Sequence, residues 1–76
     1  METRELEIEV PPRPQREEFG QGAHAQQSFE LRCRRWRAEV NQRLSAQMPD
    51  GFGLFKWRVE ERPDGRWVAL AEIVGE

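Results

Sequence analysis

Residues Glu5 to Val10 alternate strictly, with Leu6, Ile8 and Val10 on one side and Glu5, Glu7 and Glu9 on the other. This is the period-two signature of a half-buried strand, predicted over 5–10. Pro11-Pro12-Arg13-Pro14 ends it, because proline has no amide hydrogen for a ladder and biases its predecessor to extended geometry. A Pro/Gly/Gln loop follows over 11–24, carrying Gly20, Gly22 and several glutamines. The period then changes. Ala25, Phe29, Cys33, Trp36, Val40 and Leu44 fall inside an arc of about 100°, the width expected of a helix packed on one face. The spacing predicts a helix over 25–47, with Ser28 as a side-chain N-cap and Met48-Pro49-Asp50-Gly51 as its stop.

Two runs rich in aromatic and β-branched residues complete the chain, strands at 54–61 and 66–74 joined by Arg62-Pro63-Asp64-Gly65-Arg66. Pro-Asp-Gly suits a type I turn closed by a left-handed glycine, which pairs Arg62 with Arg66 and sets the register of the hairpin. In that register Phe55 faces Ile73, Trp57 faces Ala71 and Val59 faces Ala69, large against small, leaving a shelf for the helix. Lys56 falls opposite Glu72 on the other face. The expected fold is α+β, a single small domain over 1–76 in the order β-α-β-β, with one helix packed on a three-stranded sheet that contains a C-terminal hairpin. Either hairpin strand can lie in the middle. A ferredoxin-like half places the third strand there, and pairing Glu5, Glu7 and Glu9 with Lys56 and Arg58 places the second.

Composition narrows the class. The chain has 76 residues and a mass of 9.0 kDa, room for one small domain and no large enzyme scaffold. Charged residues make up 34% but nearly cancel, 12 Lys+Arg against 14 Asp+Glu, which is not the one-signed profile of a disordered chain. The balance is local rather than uniform: six acids and three bases in residues 1–20, two and five in 21–48, six and four in 49–76. Cys33 is the only cysteine, so no intramolecular disulfide staples the domain and a reducing, cytoplasmic setting is expected. The longest apolar stretch, Trp67 to Ala71, is far below the ~20 residues of a membrane span. Met1-Glu2-Thr3-Arg4 leads into charge rather than a signal-peptide core, and the chain is expected to start at its own initiator, with no membrane partner.

Catalysis is not expected. Cys33 lies in the apolar stripe and reads as a small core hydrophobe, and His24 sits alone in a polar loop. One His and one Cys cannot supply three or four soft metal ligands, so no metal or cofactor is expected. Gly20-Gln21-Gly22-Ala23-His24-Ala25 matches a dinucleotide-binding fingerprint in form, but that motif works only directly after a strand of a doubly wound sheet. Two surfaces remain. Arg32, Arg34, Arg35, Arg37 and Arg43 crowd the helix; Glu30 with Arg34, Glu39 with Arg43 and Arg35 with Glu39 can pair at i,i+4, leaving Arg32 and Arg37 without a local acid. The open sheet face should carry Leu54, Val68, Leu70 and Val74 among Glu5, Glu7, Glu9, Lys56, Arg58, Glu60 and Glu72, an apolar share that suggests a partner, a second copy of the chain or the proline loop folded across.

The Leu6-Ile8-Val10 strand, the Arg32 to Arg43 helix and the Pro63-Asp64-Gly65 hairpin, in a small single-domain chain with strong charge patches, resemble the phage-encoded anti-CRISPR proteins. The resemblance implies a stoichiometric inhibitor that occupies a surface of a host protein or nucleoprotein complex, such as a CRISPR surveillance complex, and blocks DNA binding or nuclease recruitment. The near-neutral total departs from the strongly acidic DNA mimics of that group and favours specific docking. The expected partner-binding residues are Arg32, Arg34, Arg35, Arg37 and Arg43 on the helix and Glu5, Glu7 and Glu9 on the first strand. The alternatives are a small nucleic-acid-binding module that sets the same arginines on phosphates, and a homodimeric structural or antitoxin-like partner.

Overall fold

In a computed structural model, which describes residues 1–76, the alternating segment is strand β1 (Glu2–Val10), the arginine-rich stripe is helix α1 (Ala23–Ala46), and the hairpin strands are β2 (Phe52–Glu61) and β3 (Trp67–Gly75). A short 3-10 turn, Arg16–Phe19, interrupts the loop before α1. The sheet is antiparallel in the order β1-β3-β2, so the third strand takes the middle. Its composition explains the choice. A central strand is buried on both faces and reads as a continuous apolar run, and Val68, Ala69, Leu70, Ala71 and Ile73 are all buried.

The hairpin closes as its turn residues dictate. The Gly65 amide donates to the Arg62 carbonyl at 2.9 Å and the Arg62 amide to the Arg66 carbonyl at 2.7 Å. Gly65 has φ +89°, a left-handed conformation that costs a residue with a Cβ about 1–2 kcal/mol. From there the register holds: Val59 faces Ala69, Trp57 faces Ala71 and Lys56 faces Glu72. Ala69 and Ala71 are flanked from the other side by Ile8 and Leu6. Small residues on the middle strand between large ones on both edges form a trough, and Trp36, Val40 and Leu44 of α1 pack into it.

Three expectations are corrected. Phe55 does not face Ile73: a β-bulge lies between Leu54 and Lys56, Leu54 takes the position opposite Ile73, and Phe55 is 68% exposed. One extra residue reverses the side-chain parity beyond it, which turns Phe52 rather than Gly53 toward the core. Phe52 packs there against the buried cluster and lies over Gly75, where an added Cβ would come within 2.8 Å of the ring. Second, α1 starts at Ala23 with Gly22 at its N-cap and no side-chain cap; Ser28 is an exposed residue inside the helix. Third, 11–24 is not wholly loop, since it holds the 3-10 turn and the first residues of α1.

Only the C-terminal half of α1 rests on the sheet. The N-terminal half is accompanied instead by the proline segment, which folds back along it. Trp36 Nε1 donates to the Pro11 carbonyl at 2.8 Å, Pro14 is buried, and Arg16 Nε donates to Gln26 Oε1 at 2.8 Å. Phe19 meets Phe29 edge to face, with ring centroids 5.8 Å apart, and Ala25 is buried. The molecule is elongated as a result, 48 × 26 × 16 Å with a radius of gyration of 14.8 Å, against about 11 Å for a compact chain of this length.

Candidate functional site

The helix places its arginines on three sides. Taking about 100° per residue from Trp36 at the centre of the buried stripe, Arg37 and Arg35 lie on opposite flanks and Arg34 points away from the sheet. All five expected arginines are exposed. Only Arg43 is engaged: it pairs with Glu39 at 3.6 Å and donates to the Glu9 carbonyl at 3.4 Å. The Glu30–Arg34 and Arg35–Glu39 pairs expected from i,i+4 spacing do not form. Glu30 accepts instead from Gln26 Nε2 at 3.0 Å, and Glu39 is committed to Arg43. Arg32, Arg34, Arg35 and Arg37 therefore carry guanidinium groups with no carboxylate partner in the fold.

The acids behave differently. Glu5, Glu7 and Glu9 are exposed along edge strand β1, but only the Glu7 carboxylate is paired, in a lattice of charges across the open sheet face. Glu7 pairs with Arg62, which reaches Glu60 at 3.2 Å; Glu60 also holds Arg58 at 3.2 Å. Glu5 is registered against Glu72, which pairs with Lys56 from β2 at 3.8 Å. The stems of these long side chains cover the middle strand, so that Val68 and Leu70 are buried although no helix lies on this face. The expected open apolar face thus shrinks to one end of the sheet, where Met1, Leu54, Phe55 and Val74 border a shallow hollow of about 450 Å³. At the opposite end, the Arg66 amide and Nε donate to the Asp64 carboxylate at 3.1 and 2.8 Å. Those two bonds hold the Asp64 pKa below its ordinary value.

Between α1 and edge strand β2 the structure opens a cleft of about 380 Å³ lined by Arg13, Cys33, Trp36, Arg37, Trp57 and Arg58. Each element contributes for a separate reason. The proline segment delivers Arg13, whose guanidinium carbon stands 5.5 Å from the centre of the Trp36 ring, in cation–π range. The hairpin register aims Trp57 at the helix, where its Nε1 donates to Asn41 Oδ1 at 3.1 Å and its ring tilts 60° against Trp36 at 5.9 Å. Of the cleft residues, sequence reasoning singled out Arg37 alone as a binding residue. Arg13 comes from the proline segment and Trp57 and Arg58 from β2, and the one local signal was Arg13 held between prolines.

Nucleophile chemistry finds no geometry. His24 and Cys33 are nine positions apart on α1, about 13 Å along its axis and on opposite sides of it. Cys33 is half-buried at the rim of the cleft, not sealed in the core. Gly20 and Gly22 have positive φ, but the 3-10 turn separates them from the end of β1, so the fingerprint-like glycines do not follow a strand. No cluster of three or more His, Cys, Asp and Glu could hold a metal ion, and no helix is long and apolar enough to cross a membrane. Comparison with protein-family models, with curated proteins and with solved structures returns no match.

Proposed function

We propose that the protein is a non-enzymatic interaction module which docks the arginine cluster of α1 on an acidic surface of a host nucleoprotein complex. By occupying that surface it blocks DNA binding or nuclease recruitment, the stoichiometric mode of the anti-CRISPR proteins it resembles. One observation carries the reading: Arg32, Arg34, Arg35 and Arg37 are exposed and none of them pairs with a carboxylate of the fold, whereas Glu7, Glu60 and Glu72 of the sheet face are held by cations of the same fold. Four unpaired bases gathered between positions 32 and 37 of one helix are charge available to a partner. Charged contacts of this kind steer encounter and select against wrong partners more than they add affinity.

The test is a purified CRISPR surveillance complex offered its target DNA with and without the protein. Added in equimolar amount, the protein is expected to reduce DNA binding or cleavage. Reversal of Arg34 and Arg35 to Glu should relieve the inhibition without altering thermal unfolding. Full DNA binding and cleavage in the presence of excess protein would exclude the reading. Direct binding to the DNA alone, lost steeply with salt, would replace it with the nucleic-acid reading.

A further inference from the structure

We propose that the cleft between α1 and β2 is a binding site for a nucleotide phosphate, with Arg13, Arg37 and Arg58 on the phosphate and Trp57 beneath the base. The lining residues are three arginines, two tryptophans and a cysteine, with no carboxylate among them. Guanidinium groups are forked donors that match phosphate oxygens two at a time. Three of them around one cleft suit a dianion better than a single carboxylate.

Of the three guanidinium groups, that of Arg13 is held in place before any ligand arrives. Arg13 sits on a proline-stiffened segment tied to Trp36 through the Pro11 carbonyl and is seated over the Trp36 ring. Arg37 is exposed and has no acid partner, so its guanidinium is free to turn to a ligand. Arg58 borders the cleft from the edge strand but is paired with Glu60 on the open sheet face at 3.2 Å; that pair is exposed, and a phosphate displaces such a pair at little cost. Positioned donors lose less entropy on binding than mobile ones.

The aromatic side of the cleft names the rest of the ligand. Trp36 is buried, while Trp57 is only half-buried and is locked by Asn41 and by Trp36. A fixed, partly open indole is a stacking platform for a base. The volume of about 380 Å³ lies at the small end of ligand pockets, which run from ~300 to 1,000 Å³, and fits one nucleotide rather than several. The same chemistry is presented by a free mononucleotide and by one residue of a single strand. The site shares Arg37 alone with the docking arginines, since Arg13, Trp57 and Arg58 lie off α1.

The experiment titrates the intact protein at low salt with inorganic phosphate, AMP or an oligodeoxyadenylate and follows tryptophan fluorescence. Saturable quenching by AMP or by the oligonucleotide is expected, with inorganic phosphate competing. Arg13→Ala and Arg58→Ala should each weaken it about tenfold, the effect of one lost charged hydrogen bond, while Arg4→Ala, at an exposed arginine paired with Glu2, leaves it unchanged. Circular dichroism of each variant confirms that it folds. Tighter binding of the oligonucleotide identifies the strand as the source, and equal binding the free nucleotide. No saturable quenching up to about 1 mM, a very weak limit, overturns the proposal, as does equal weakening by Arg4→Ala and Arg58→Ala.

Discussion

The two halves of α1 share one backbone and one apolar stripe, yet they are held by different means. From Trp36 to Leu44 the stripe lies in the trough of the sheet, and Val40 and Leu44 are 0% exposed. From Ala23 to Cys33 the support is a proline segment, one aromatic pair and a few side-chain hydrogen bonds, and Ala25 is its only buried residue. The first half of the comparison is where free energy accumulates, and the second is where groups can be rearranged cheaply. The four unpaired arginines straddle the boundary, at 32, 34, 35 and 37, so they are anchored by the stable half and displayed beside the adaptable one.

Substitutions can separate the halves, beginning with the largest effect. Leu44→Ala removes a fully buried side chain and should cost about 2–5 kcal/mol, as core leucines do; urea unfolding is expected to show a much lower midpoint for the whole domain. Trp36→Phe strikes the junction. It keeps an aromatic ring in the trough but takes the donor from the Pro11 carbonyl, at about 1–3 kcal/mol, and hydrogen exchange should rise in 11–22 more than in β3. Phe29→Ala belongs to the weakly supported half and should cost about 1 kcal/mol, with proteolysis accelerated near Phe19 and exchange in the sheet unaltered. Loss of the whole fold on Phe29→Ala would show that the halves are one cooperative unit.

The smallest effect lies outside α1 altogether, in the hairpin turn. Because the folded state lowers the Asp64 pKa, its contribution to stability is fully present above the ordinary value of 3.8 and is lost as pH falls through the lowered one. Asp64→Asn should remove that slope from a stability profile measured in acid. A titration slope that survives the substitution would assign the acid sensitivity to the carboxylates of the open sheet face instead.

Much of this architecture was written locally. The Leu6-Ile8-Val10 alternation, the stripe ending at Leu44 and the Pro-Asp-Gly turn each report on neighbours within a few residues, and each appears where its period places it. The bulge at Leu54 and Phe55 was not legible, because an unbroken alternation is the default reading and the reason for the break lies in Phe52 reaching Gly75 from the far side of the ladder. The middle position of β3 was left open for a related cause: glutamates facing Lys56 and Arg58 are as plausible locally as glutamates facing Val68 and Leu70. Burial of those two aliphatics settles it, and they are covered by charged stems from both edges. Of the proposed binding surfaces, the arginines of α1 were visible as a cluster, but their freedom was not, since pairing at i,i+4 depends on whether Glu30 and Glu39 are taken elsewhere. The cleft was invisible for a stronger reason. It exists only where residues 13, 37 and 58 are brought together by the return of the proline loop.

The order β1-β3-β2 also sets the sequence of events in folding. β2 and β3 are joined by a tight turn and can pair as soon as both are present, whereas Leu6 meets Ala71 and Ile8 meets Ala69 only after nearly the whole chain has been gathered in. Closing so long a loop carries an entropic cost that grows with the logarithm of its length, and pairings this distant slow the folding of small domains. β1 is therefore the last strand to join, and until it does the trough lacks one wall. The step that completes the core is thus the same step that draws Pro11 toward Trp36, so the arginine cleft takes shape at the end of folding and not before.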